Sequence, residues 1–239
     1  RVTGHRQGAD FERTVDRVPI ANLDARAGLT HDLPGETFQW LADDVAYIKL
    51  STIRADSVPG YVRQARDAAV LVVDIRNYPN EFVPFVLGGR LVPETTAFAR
   101  FTVGDPGNPG AFRWTPPVSL PRVPDDRFDG PVVVLVDERS MSQSEYTAMA
   151  LRAAPNTIVV GSTTAGADGN ISRIPLPGGL EAIITGIGVF YPDRSPTQRI
   201  GIIPDLEVRP TIQGIRDGRD EVLEAGVSHA LGRKFRLGR

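Results

Sequence analysis

Three stretches of the chain are nearly unbroken runs of aliphatic residues: Val70-Leu-Val-Val-Asp-Ile75, Pro131-Val-Val-Val-Leu-Val136 and Thr157-Ile-Val-Val-Gly161. Short continuous runs of this kind predict strands covered on both faces, since a strand with one wet face alternates. A further strand is expected at Val45-Ala-Tyr-Ile-Lys-Leu50. Behind a cap at Asp56 or Ser57, the residues Val58, Tyr61, Val62, Ala65 and Ala69 recur at helical spacing. That helix supplies the crossover a parallel strand pair requires. Tyr146, Met149, Ala150 and Ala153 predict a second helix after Val136, and another is expected from Phe82 to Leu91. Strands alternating with helices at this spacing indicate an α/β sheet with helices packed on it.

The pattern changes outside this region. Gly104 to Pro124 is rich in Pro and Gly and reads as a surface excursion. After Thr163 come short apolar stretches, Ile171–Leu176, Leu180–Phe190 and Leu206–Val208, broken by Gly and Pro in the manner of antiparallel hairpins. A last helix is expected from Asp220 to Leu231, with Leu223, Val227 and Leu231 on one side. At the other end, residues 1–20 hold a turn signal at Gln7-Gly8 and a short alternating stretch, Phe11 to Val15, expected to be a strand closing another unit. Residues 21–44 are mixed and polar and read as a linker, leaving 45–239 as the core.

Composition narrows the functional classes. The 27 basic and 29 acidic residues are interspersed and leave a formal charge of −2, so there is no footprint for nucleic acid or an anionic membrane surface. No apolar run approaches the roughly 20 residues that span a bilayer. The absence of cysteine excludes disulfides, thiolate metal sites and a cysteine nucleophile. No metal or other cofactor is expected. The only lysines are Lys49 and Lys234, and the only histidines His5, His31 and His229. Arg1 in place of an initiator Met is expected to mark a cut end.

Three segments are candidates for chemistry. Arg139-Ser-Met-Ser-Gln-Ser-Glu145 follows a buried strand and opens a helix, where free N–H groups and the helix dipole can stabilise an oxyanion. The same residues also form a capping box from Ser142 to Glu145, so spacing alone leaves Ser142 either a helix cap or a nucleophile. Asp74-Ile-Arg-Asn-Tyr-Pro-Asn80 lies at a strand's C-terminal end, where ligands gather in open α/β sheets, although Asp74 and Arg76 could simply pair with each other. Gly161-Ser-Thr-Thr-Ala-Gly-Ala-Asp-Gly-Asn170 is Gly-rich but lacks a phosphate-loop lysine and any dinucleotide fingerprint.

Taken in order, five segments resemble the C-terminal processing (tail-specific) protease family and its relative, the tricorn core protease. They are Ala46-Tyr-Ile-Lys-Leu50, Asp74 to Asn80, Ser140-Met-Ser-Gln-Ser-Glu145, Val160-Gly-Ser-Thr-Thr-Ala-Gly-Ala167 and Ile200-Gly-Ile-Ile-Pro-Asp205. The resemblance covers about residues 45–210. It implies a crotonase-like (ClpP-like) α/β core sheet with flanking helices and a β-rich C-terminal part, preceded by a PDZ-like domain of which residues 1–20 would be the last strand. It implies that Ser142 is the nucleophile of a serine-type endopeptidase acting on polypeptides, in an extracytoplasmic setting. The backbone amides of Asn80 and Gln143 would form the oxyanion hole, and Gly166 and Ala167 would lie along the substrate.

The sequence departs from the family pattern at two places. The family's catalytic lysine follows a glycine of the Gly-rich turn, where this chain reads Gly166-Ala167-Asp168-Gly169. In the tricorn-type branch a histidine from upstream takes the proton, which makes His31 the candidate base; Asp168 would need a raised pKa to serve. The oxyanion glycine is also replaced, by Asn80 next to Pro79, which has no N–H. These departures define the alternative: a catalytically inert relative binding peptides or apolar ligands, as retinoid-binding members of the family do.

Overall fold

The computed structural model describes residues 1–19, 22 and 31–238, in two compact units, Arg1–His31 and Asp32–Arg239. In the first, β1 (Val2–Arg6) and β2 (Ala9–Arg13) form an antiparallel hairpin. Gln7 and Gly8 both have positive φ, 53° and 81°, as a two-residue turn matching the strand twist requires. The strand expected at Phe11–Val15 therefore lies at Ala9–Arg13. Of the expected linker, residues 21 and 23–30 lie outside the described residues.

The second unit runs β3 (Phe38–Ala42), β4 (Val45–Lys49), α1 (Val58–Gln64), β5 (Val70–Asp74), α2 (Pro84–Gly88), β6 (Thr96–Gly104), β7 (Phe112–Trp114), β8 (Val118–Leu120) and β9 (Val132–Val136). It continues with α3 (Gln143–Arg152), β10 (Thr157–Gly161), β11 (Ile171–Leu176), β12 (Leu180–Thr185), β13 (Ile187–Phe190), β14 (Leu206–Glu207), α4 (Ile212–Arg216) and α5 (Glu221–Leu231). Six strands form the main sheet in the order β14-β10-β9-β5-β4-β3. All neighbours are parallel except the edge pair β3–β4.

The aliphatic runs are covered on both faces, as their pattern predicts. Val132, Val134 and Val136 of β9 join Val58 and Val62 of α1 and Ala148, Met149 and Leu151 of α3 in one core. Val133 and Leu135 point the other way, into a second core with Val222, Leu223 and Val227 of α5. Period-two alternation thus sends one strand into two helical layers.

Three expectations need correction. Residues 38–42, placed in the linker, form the antiparallel edge strand β3. The Gly104–Pro124 excursion contains β7 and β8, and the unforeseen β6 precedes it; β6 pairs with β7, β8 and β13 in a second sheet. β14 is not part of a hairpin but pairs in parallel with β10 at the edge of the main sheet. The β10–β14 and β6–β13 pairings join residues far apart in sequence, which local patterning does not encode.

One polar network is buried between the layers. The Asp74 carboxylate accepts from Arg76 Nε at 2.9 Å and from the Tyr47 hydroxyl at 2.9 Å, and Arg76 also pairs with Asp220 at 2.7 Å. Asp220 in turn caps α5 by accepting from Leu223 N–H. Burial pushes the Asp74 carboxyl up, and the Arg76 charge beside it opposes this. The network answers the simpler reading of Asp74 and Arg76 as a mutually paired turn, and it ties α5 to the end of β5. Arg76→Ala is expected to strand the buried carboxylate and cost about 3–5 kcal/mol in urea-induced unfolding; a loss under about 1 kcal/mol would contradict this account.

Candidate active site

β9 ends at Val136, and a tight turn leads to Ser142, the N-cap of α3. The Ser140 hydroxyl fixes the turn, accepting from Asp137 N–H at 3.1 Å and donating to the Ile75 carbonyl at 3.2 Å. Ser142 has φ 52° and ψ −118°. This is a region that costs a non-glycine residue on the order of 1–3 kcal/mol and persists only where surrounding contacts enforce it.

Those contacts centre on Glu145, which is fully buried. Its Oε2 accepts from the N–H groups of Ser142 at 3.3 Å and Ala167 at 2.8 Å, and its Oε1 from Gly166 N–H at 2.8 Å and the Thr164 hydroxyl. The Ser142 N–H also donates to the Ala167 carbonyl at 3.0 Å. The capping box read from the sequence is present, but its acid also anchors the Gly-rich loop beneath the serine. Thr164 extends the anchor by accepting from Ile202 N–H at 2.7 Å. Gly161 starts the loop with φ 136°, and a Cβ there would lie 1.9 Å from the Val136 carbonyl oxygen, so only glycine fits.

Ser142 opens on a cavity of about 530 Å³, walled by Tyr78, Phe82, Phe101, Val103, Tyr146, Ile187 and Val189, with Thr115, Gln143, Asp168, Gly169 and Asn170 as its polar members. Phe82 stacks on Tyr146 with centroids 5.9 Å apart, and the Gln143 side chain donates to the Glu81 carbonyl at 2.7 Å. The loop after β5 is thereby held against the start of α3. The apolar wall owes much to β6 and β13, whose pairing sets Phe101 opposite Val189 and Val103 opposite Ile187.

The other predicted site residues are placed as follows. The Gln143 N–H, at the first helical position, donates to no carbonyl among the described residues and lies beside the Ser142 hydroxyl's own peptide, where an oxyanion would need it. The Asn80 N–H donates to the Leu50 carbonyl at 2.9 Å and its side chain to Ile53 O at 3.1 Å, so in this arrangement Asn80 offers no free amide. Gly166 and Ala167 have both N–H groups on Glu145 and act as scaffold beneath Ser142. His31 is exposed and belongs to the N-terminal unit.

Asp168 is the feature that sequence reasoning set aside. It is 7% exposed. Its Oδ1 accepts from Gly169 N–H at 2.7 Å, while its buried Oδ2 has no hydrogen-bond partner. Burial, reinforced by the nearby Glu145 charge and opposed by the Gly169 N–H, pushes its pKa up to about 7. Burial and the Asp168 charge likewise push Tyr146 up to about 12, so its hydroxyl is protonated at neutral pH.

Two expectations follow. Because the folded state holds the Asp168 proton to higher pH than the unfolded chain does, its contribution to stability is full below about pH 4 and is lost as pH rises to about 7. Asp168→Asn should therefore leave stability at pH 4 nearly unchanged and raise it at pH 8, by about 4 kcal/mol at most. Chemical denaturation at the two pH values measures the difference, and equal shifts at both would contradict it. Ser142→Gly should stabilise the protein by about 1 kcal/mol, because strain relief exceeds the few tenths lost from the cap; a lower melting temperature would argue against strain at this position.

Comparison with solved structures gives the fold a second line of support. A candidate peptidase from Parabacteroides merdae superposes with a TM-score of 0.73 at 23% identity, over 81% of this chain and 64% of that one. Mature CPAF in complex with lactacystin gives 0.61 at 12% identity, over 72% and 48%, and a candidate S41 protease from Bacteroides fragilis gives 0.56 at 14%, over 79% and 54%. The chain thus spans less than two thirds of the length of each. No curated protein matches it by sequence. Residues 90–208, which carry Ser142, Glu145 and the Gly-rich loop, match the model of peptidase family S41, and this part of the chain belongs to that family.

Proposed function

We propose that the protein is a serine peptidase in which Ser142 attacks the carbonyl carbon of a polypeptide. The observation that carries this reading is the strained Ser142 backbone, held by Glu145 at the mouth of the cavity beside the unengaged Gln143 N–H. A helix cap alone needs no positive φ, since N-cap residues ordinarily sit in the β region. A sharp strand-to-helix turn that presents the hydroxyl outward is what nucleophilic attack requires.

In this reading the carbonyl oxygen of the substrate becomes an oxyanion stabilised by Gln143 N–H and the dipole of α3. Asn80 would add its amide only if its turn releases Leu50. The aromatic and aliphatic walls favour an apolar side chain next to the scissile bond, because such a side chain gains free energy by leaving water. An extended substrate would be positioned by strand addition, main chain against main chain. No step calls for a metal or cofactor.

One observation favours the alternative of an inert binder. The Asn80 N–H is engaged with Leu50, and among the described residues no lysine or histidine lines the cavity. Covalent labelling separates the two readings. A fluorophosphonate probe is expected to modify the protein once, at Ser142, as located by peptide mass spectrometry, with no modification of Ser142→Ala. Absence of labelling, or labelling that persists in Ser142→Ala, would assign the cavity to binding alone.

A further inference from the structure

We infer that Asp168 is the general base for Ser142, in the place that a lysine or histidine fills in other serine peptidases. The inference rests on Ser142 being the nucleophile. A serine hydroxyl needs a proton acceptor within hydrogen-bond reach or one water away. Among the groups around the cavity, Glu145 has both oxygens engaged by backbone and hydroxyl donors. Tyr78 and Tyr146 are phenols, and Tyr146 is held protonated. β6 and β13 contribute only uncharged residues to the lining, and Gln198, which donates to the Asp168 carbonyl at 2.8 Å, is neutral.

Among the described residues that line the cavity Asp168 is the remaining acid, and its geometry suits the task. It is the residue after Ala167, whose carbonyl accepts from the Ser142 N–H at 3.0 Å, so the backbones of the two residues run side by side. Both line the same cavity. Its Oδ2 is buried and unpartnered, and a buried polar atom without a partner calls for an explanation in function or in bound water. No hydrogen bond joins Asp168 to Ser142 in this structure. A side-chain rotation or one water would make the connection, and catalytic hydrogen bonds commonly tighten only with substrate bound. A carboxyl half-ionised near pH 7 is matched to accepting and returning a proton there.

The proton balance closes. Asp168 takes the Ser142 proton as Oγ bonds to the carbonyl carbon and the C=O electron pair moves to oxygen. Collapse of this intermediate breaks the C–N bond, and Asp168 returns the proton to the leaving amine. Water then adds to the acyl-enzyme, its proton going to Asp168. A second collapse releases the new carboxyl terminus and restores the Ser142 hydroxyl with the proton Asp168 held.

The test is the second-order rate of fluorophosphonate labelling from pH 5 to 9 in the wild type, Asp168→Asn, Asp168→Glu and Ser142→Ala. The wild-type rate is expected to rise through one inflection near pH 7. Asp168→Asn should be folded, more stable at pH 8, at least about 100-fold slower, and without the inflection. Asp168→Glu should keep an inflection, which a merely structural role for the residue would not require. An Asp168→Asn protein that labels at the wild-type rate, or keeps its inflection, overturns the base assignment and leaves Ser142 as nucleophile. A wild type that does not label, or a Ser142→Ala protein that labels equally, overturns the nucleophile itself.

Discussion

The carboxylate of Glu145 is the point on which the site is built. It lies fully buried at the start of α3 and accepts four hydrogen bonds, three from backbone N–H groups and one from a hydroxyl. A buried charge is tolerable when its hydration is replaced donor for donor, and here the replacement draws on two separate segments. One is the turn that carries Ser142; the other is the Gly-rich loop after β10. Removing the acid would leave several buried donors unmatched and release both segments together. The serine keeps its unfavourable backbone angles because this carboxylate and the Ala167 carbonyl hold its N–H.

The sheet supplies the frame. β9 and β10 run parallel and in register, so their C-terminal ends deliver the Ser142 turn and the Gly-rich loop to the same edge. Asp205 clamps the neighbouring edge: it accepts from Val159 N–H at 2.7 Å and pairs with Arg152 at the far end of α3 at 2.8 Å. Arg76 performs a comparable task on the other side, joining β5 to the cap of α5. Several of the motif residues that carry the family resemblance are thus struts. Asp74, Arg76, Glu145, Thr164 and Asp205 hold elements together, whereas Ser142 lines the cavity with Tyr78 and Gln143.

Stability and chemistry pull against each other at this edge. A positive φ at Ser142 and an unpartnered oxygen on a buried Asp168 each lower stability, and each is what a nucleophile and its base would need. The buried Ser144 hydroxyl at the start of α3 is likewise unpartnered, so the cost is shared along this turn.

How much was legible in the sequence follows from the range of the interactions involved. The buried parallel strands, the crossover helices and the capping box at Ser142 depend on contacts within one segment or on burial on both faces, and residue periodicity records those directly. Position 142 was therefore visible as a cap, and the order of five motifs made it the candidate nucleophile. β6 was missed and β14 misassigned because their pairing involves partners far away in sequence: β14 joins β10, and Thr96–Gly104 pairs with β13, which with it brings Phe101 and Val103 to the cavity wall. Asn80 looked like an oxyanion donor in one dimension, whereas the fold gives its N–H to Leu50. Asp168 carried no sequence signal beyond its neighbourhood to the expected lysine. A carboxyl's proton affinity depends on the water and charge around it, and only the tertiary structure decided that Asp168 would be buried beside Glu145, with one oxygen unpaired.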